Sequence, residues 1–241
     1  MKKVLYLLLL CPLLIVAQEN KDYLLSISEI TVKQGHNEAF LQGVKSWKEC
    51  YLENKGEDKW GVWRRLQGEG NVYVLTGRMA NWAEFDKDDD AAGKECRTIV
   101  LNLIMPHVES FKFSIAQTIL DWSSESQMEN VGLVWNTFFE IQNSADFKEV
   151  VQGIQSALKS SNDDRNGKWF TFMGGDRDDA DYFVSTPFSK FADLDKDEDG
   201  VWQVYEKVNG KKKADELRAK FRSSVVDVWS YIYTLNKDLS N

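Results

Sequence analysis

Residues 60 to 90 of this chain overlie residues 169 to 199 at a constant offset of 109, without a gap. Trp60 falls on Trp169, Tyr73 on Tyr182 and Ala83 on Ala192, and Asp86, Lys87, Asp88 and Asp90 fall on Asp195, Lys196, Asp197 and Asp199. Between these points the exchanges are mild, with Trp63 for Phe172, Leu75 for Val184, Thr76 for Ser185 and Trp82 for Phe191. A repeat of this length is too long for a solenoid unit and suits a small domain. Whatever the first half folds into, the second half must be able to fold into as well.

The order of local signals is the same in both halves. Tyr23 to Val32 alternates apolar and small polar residues, the pattern of a strand. From Asn37 to Glu53 the positions Phe40, Leu41, Val44, Trp47 and Tyr51 form one helical stripe. Trp60 to Leu66 and Asn71 to Arg78 are short strands around the Gln67-Gly68-Glu69-Gly70 loop. A helical region follows, broken by the acids from Asp86 to Asp90 and resumed through Ala91 to Ile104, and Phe111 to Leu120 is a fourth strand. In the second half the strands are Val131 to Ile141, Gly167 to Met173, Asp181 to Thr186 and Val228 to Leu235. Helices are expected over Ala145 to Leu158 and, with a break, over Phe188 to Phe221.

This βαββαβ order, twice over, predicts an α+β fold of two ferredoxin-like units. Both helices of such a unit cover one sheet face, and the other would turn Trp, Tyr, Phe and Val to water. Packing the two bare sheet faces together, as an intramolecular barrel, removes that exposure. Residues 18–122 and 130–241 are the expected units, joined by a polar linker over 123–129.

With that order, and with Val32-Lys33-Gln34-Gly35-His36-Asn37-Glu38-Ala39-Phe40 joining first strand to first helix, the chain resembles the dimeric α+β barrel superfamily. The antibiotic-biosynthesis monooxygenase-like and NIPSNAP-like proteins are the members it looks most like. The resemblance implies a barrel made by two units, with a pocket between sheet and helices. It implies no single activity, because the superfamily spans cofactor-independent oxygenases, isomerases and haem-binding enzymes.

Residues 1 to 17 have the layout of a secretory signal peptide: Lys2 and Lys3, an apolar run from Val4 to Val16, and the small Ala17. The run is short for a bilayer span, and no later stretch is apolar enough for one. The expected location is therefore periplasmic or extracellular. Without the leader, 28 basic residues face 38 acidic ones, a net charge of −10 that argues against nucleic acid as a partner. Oligomeric state is not legible. Cys50 and Cys96 remain, and an oxidising compartment invites a bond between them as an alternative to two buried thiols.

Asp195, Asp197, Asp199, Gly200 and Glu206 satisfy the calcium-loop spacing in full. The preceding helix would be short, Trp202 stands where an aliphatic residue belongs, and Ala91 and Arg97 replace the glycine and the glutamate in the first half. Helix capping is therefore favoured over a metal site. No cofactor is predicted, and calcium is the one ion left open. Haem would need a histidine aimed into the barrel, and His36 and His107, at turns beside the first helix and the fourth strand, do not clearly meet that need.

Arg64 and Arg65 point to opposite faces by the period-two rule, so at most one enters the pocket, where it could grip a carboxylate. The aromatic side chains Trp60, Trp63, Trp169 and Phe172, with Arg64, are the expected pocket lining. Such clusters are more often core than ligand platform. The leading expectation is a non-catalytic module for a small apolar or aromatic molecule. One alternative is a cofactor-independent oxygenase- or isomerase-like enzyme using His36 and Arg64. The other is a calcium-stabilised structural protein.

Overall fold

Eight strands alternate their side chains between two unlike surroundings, a layer of helices outside and an enclosed space inside. The computed structural model describes residues 22–87, 90–124, 130–163, 165, 167–176 and 179–241. The leader at 1–17, Asp88 and most of the 123–129 linker lie outside the described residues.

The first half runs β1 (Leu24–Val32), α1 (Asn37–Glu53), β2 (Trp60–Arg65), β3 (Asn71–Met79), α2 (Ala91–Ile99) and β4 (Val108–Thr118). The second runs β5 (Leu133–Ile141), α3 (Ser144–Ser160), β6 (Lys168–Phe172), β7 (Tyr182–Phe188), α4 (Val201–Asn209), α5 (Lys211–Ser224) and β8 (Val225–Leu235). All pairings are antiparallel, and the strands close into a barrel in the order β1-β3-β2-β8-β5-β7-β6-β4. The two seams between the halves are short. Trp63 to Arg65 pair with Tyr233 to Leu235 on one side, and Ala116 to Thr118 pair with Phe170 to Phe172 on the other.

The helices sit outside. Phe40 and Tyr51 of α1 pack on Val32, Trp60, Val62 and Tyr73, which share the outward face of the sheet. Phe147 and Val151 of α3 pack on Trp122, Phe139 and Trp169 in the same way. Each fully buried phenyl ring here contributes about 1.5–3 kcal/mol. Gly43 lets α1 lie against the π-turn Val100–Ile104 that prolongs α2, since a Cβ there would stand 2.1 Å from the Leu103 carbonyl oxygen. α1 and α2 are also joined by a disulfide between Cys50 and Cys96, with Cα atoms 5.9 Å apart.

Two boundaries differ from the sequence pattern. β4 and β8 begin at Val108 and Val225, each three residues earlier than the alternation suggests. Their polar starts, with Glu109, Ser110 and Asp227, hide the apolar phase, and the register shifts there at Thr31/Val32 and Glu140/Ile141. The long helical stretch from Phe188 is a strand end, a 3-10 turn over Phe191–Asp195 and two helices. Gly210, at φ 84°, makes the break between α4 and α5.

The segments after β4 and β8 act as straps. Ser123 Oγ accepts from the Trp169 amide at 2.9 Å, and Trp122 is 6% exposed against Trp169 and Tyr182. At the C-terminus, Trp60 Nε1 donates to the Leu239 carbonyl at 2.9 Å, and the Val62 amide donates to Ser240 Oγ at 2.9 Å. Leu239 is 4% exposed in the α1 core.

Candidate functional site

The barrel encloses a cavity of about 310 Å³, within the size range of small-molecule sites. Period two decides what reaches it. From β1 come Leu25, Ile27 and Glu29, from β5 Val134, Asn136 and Phe138, and from β3 Val74 and Thr76. Phe138 and Trp229 stack with centroids 5.7 Å apart, Phe138 meets Phe183 at 5.6 Å, and Phe172 meets Phe183 at 5.2 Å. Trp63 Nε1 donates to Thr76 Oγ1 at 3.0 Å, which fixes the indole at the wall.

Among the described residues four ionisable side chains line the cavity: Glu29, Lys112, Asp179 and Tyr233. Lys112 Nζ is ion-paired with Asp179 and lies 3.5 Å from Asp176 Oδ2. Burial pulls this ammonium down, but the hydrogen bonds and charges of the two aspartates outweigh it, so its pKa is raised. Burial pushes the Tyr233 phenol up, and the Glu29 charge adds to the shift while Arg65 opposes it. Among the described residues the Glu29 carboxylate has no hydrogen bond or ion pair. Asn136 Oδ1 is shielded from water and has no hydrogen-bond partner.

The expected pocket residues divide. Trp63 and Phe172, at matching positions of the 109-residue offset, both line the cavity, as do Thr76 and Ser185. Trp60 and Trp169 do not. They project the other way, under α1 and α3, because they stand an odd number of positions from Trp63 and Phe172. Arg64 is exposed on the outer face of β2. Its neighbour Arg65 is on the inward side, with its guanidinium 4.7 Å from the Tyr231 ring centroid. His36 and His107 meet each other outside the barrel, with Nδ1 atoms 2.8 Å apart, so neither reaches the cavity. The pair His36 and Arg64 is thus not placed for chemistry in this space.

The acids of the calcium-loop spacing are not brought together. Glu206 Oε2 is ion-paired with Arg218 at 2.8 Å, and Asp199 is ion-paired with Lys207. Asp195 closes a 3-10 turn and Asp197 lies in the following loop. Among the described residues no three His, Cys, Asp or Glu side chains converge on a metal position. In the first half, Asp90 caps α2 through the Gly93 amide and also accepts from the Tyr51 hydroxyl.

No family model matches the chain. No curated protein matches it either. Solved structures do. A candidate monooxygenase from Lactobacillus acidophilus NCFM aligns over 92% of this chain and 99% of its own, with a TM-score of 0.53 and 8% identity. An anthrone oxidase-like protein aligns over 90% and 92%, with a TM-score of 0.52 and 9% identity. A mutant chlorite dismutase from Candidatus Nitrospira defluvii, in complex with cyanide, aligns over 90% and 92%, with a TM-score of 0.55 and 8% identity. At these identities the likeness is one of fold, the α+β barrel with an eight-stranded antiparallel wall.

Haem, a ligand implied by the superfamily resemblance, does not fit the described residues of this cavity. Among the described residues its lining holds no His, Cys or Met to serve as axial ligand. The one phenol among the described lining residues, Tyr233, is pushed away from the tyrosinate form by burial.

Proposed function

We propose that the barrel interior is a binding site for a small, largely apolar or aromatic molecule, and that the protein acts by holding that molecule. The carrying observation is the cavity itself: about 310 Å³ walled mainly by ring and aliphatic side chains, with polar side chains such as Glu29, Asn136 and Lys112 in the minority. A binding role rather than a catalytic one is supported by the positions of His36 and Arg64, outside that space. We further infer that the barrel is a duplicated ferredoxin-like βαββαβ unit, with residues 18–122 and 130–241 as the two copies. The shared element order and the 109-residue offset, which relates the 3-10 turns Trp82–Asp86 and Phe191–Asp195, support this. Export to the periplasm or beyond follows from the leader pattern of residues 1–17.

Equilibrium dialysis with 2-methylnaphthalene, a neutral ring probe, tests the site. Saturable binding is expected, and Ser185→Phe, which adds a ring to the cavity wall, should weaken it at least tenfold. Val74→Phe should do the same from the opposite half. Non-saturable uptake, or unchanged binding by both variants with their cooperative melts intact, would exclude the cavity as the site.

A further inference from the structure

The polar groups of the cavity are unbalanced in one direction. Among the described lining residues the one cationic side chain, Lys112, is already held by Asp179 and faces Asp176 as well, while Arg65, inward but outside the lining, lies over the Tyr231 ring. The Glu29 carboxylate, directly across from Lys112 in the β1–β4 register, is left without an ion pair or hydrogen bond among the described residues. Asn136 Oδ1, on β5, is buried and unpartnered. Both of these lining groups are hydrogen-bond acceptors; the other buried unpartnered atom among the described residues, Arg65 Nε, belongs to the side chain over the Tyr231 ring, outside the cavity lining. A buried acceptor with no donor is costly unless something fills the vacancy, and water or a ligand can do so here because both groups line a cavity.

The apolar part of the wall leans the same way. Trp63, Phe138, Phe172, Trp229 and Tyr233 all border the space. Aromatic faces carry partial negative charge and attract cations within about 6 Å of the ring centroid. Resting on the reading of the cavity as a ligand site, we propose that its ligand is an aromatic or alkyl amine. Its ammonium is directed to Glu29 and Asn136, and its apolar body lies among the rings. Among the described lining residues an anionic ligand would find a cation in Lys112 alone and would have to displace two aspartates from it. The chain's overall charge of −8 also favours the approach of cations.

The test compares three probes that share one ring system: 2-methylnaphthalene, 2-naphthylmethylamine and 2-naphthoate, by equilibrium dialysis at moderate salt. The amine should bind at least tenfold more tightly than the hydrocarbon, and the carboxylate more weakly than either. Glu29→Gln keeps shape and volume. It should remove most of the amine's advantage while changing 2-methylnaphthalene affinity less than about twofold. Asn136→Leu should reduce amine affinity by a smaller factor. Equal affinity for amine and hydrocarbon, tighter binding of 2-naphthoate, or an amine preference that survives Glu29→Gln would each overturn the ligand class and leave the cavity as a ring-binding site. Binding of none of the three would remove both readings together.

Discussion

Removing the Cys50–Cys96 bond gives a stability change whose size follows from chain connectivity. The two cysteines are 46 residues apart in sequence. Closing a loop of that length in the unfolded chain costs about 13 cal/mol/K in the loop-entropy description, or about 4 kcal/mol at 25 °C. The folded state holds α1 against α2 by other contacts as well, through Gly43 and the π-turn after α2. The double variant Cys50→Ser, Cys96→Ala should therefore still fold, about 4 kcal/mol less stable. For a chain of this size that corresponds to a fall of roughly 8–16 °C in Tm. Urea titration followed by circular dichroism measures it. Because the bond acts mainly on the unfolded ensemble, the variant should also show a larger m-value, its denatured chain being free to expose more surface. A loss below about 1 kcal/mol with an unchanged m-value would refute the reasoning.

Deleting residues 236–241 strips the strap from β2, exposing the Leu239 site and orphaning Trp60 Nε1. A cost of roughly 3–6 kcal/mol is expected, and a thermal melt matching the full chain would contradict it. Calcium at millimolar concentration, or a chelator, should move Tm by less than about 1 °C, because Glu206 and Asp199 are engaged by Arg218 and Lys207; a clear calcium-dependent rise would restore the loop as a site. The hydrogen bonds from Arg165 hold the Asp163 carboxyl below the usual carboxylate range despite partial burial. A lowered folded-state pKa means stability that is present above the unfolded value of about 3.9 and lost as pH falls through the folded one. Asp163→Asn should therefore lower stability at pH 7 and match the parent near pH 2, as read by urea melts at both pH values.

Legibility in the sequence followed the range of the interactions involved. The inward positions of β1 and β5 can be read in retrospect from period two. Glu29 continues the phase of Leu25 and Ile27, and Asn136 sits between Val134 and Phe138. A polar residue on the apolar phase of a strand was the available signal for both. Trp60 and Trp63 look alike as residues, and only their odd spacing separates a helix-facing ring from a cavity-facing one. Arg65, rather than Arg64, turned inward for the same reason.

By itself, the sequence determined the element types, their order and the need to cover two apolar sheet faces. These depend on local periodicity and on the 109-residue internal match, which are properties of neighbours in the chain. Tertiary structure alone decided which strands meet at the seams, that Leu239 covers Trp60, and that His36 finds His107 outside the barrel. It also decided that Glu206 is engaged by Arg218 rather than aligned with Asp195, Asp197 and Asp199. Such pairings join residues distant in sequence, and their geometry is set by barrel closure, which no local window of the chain contains.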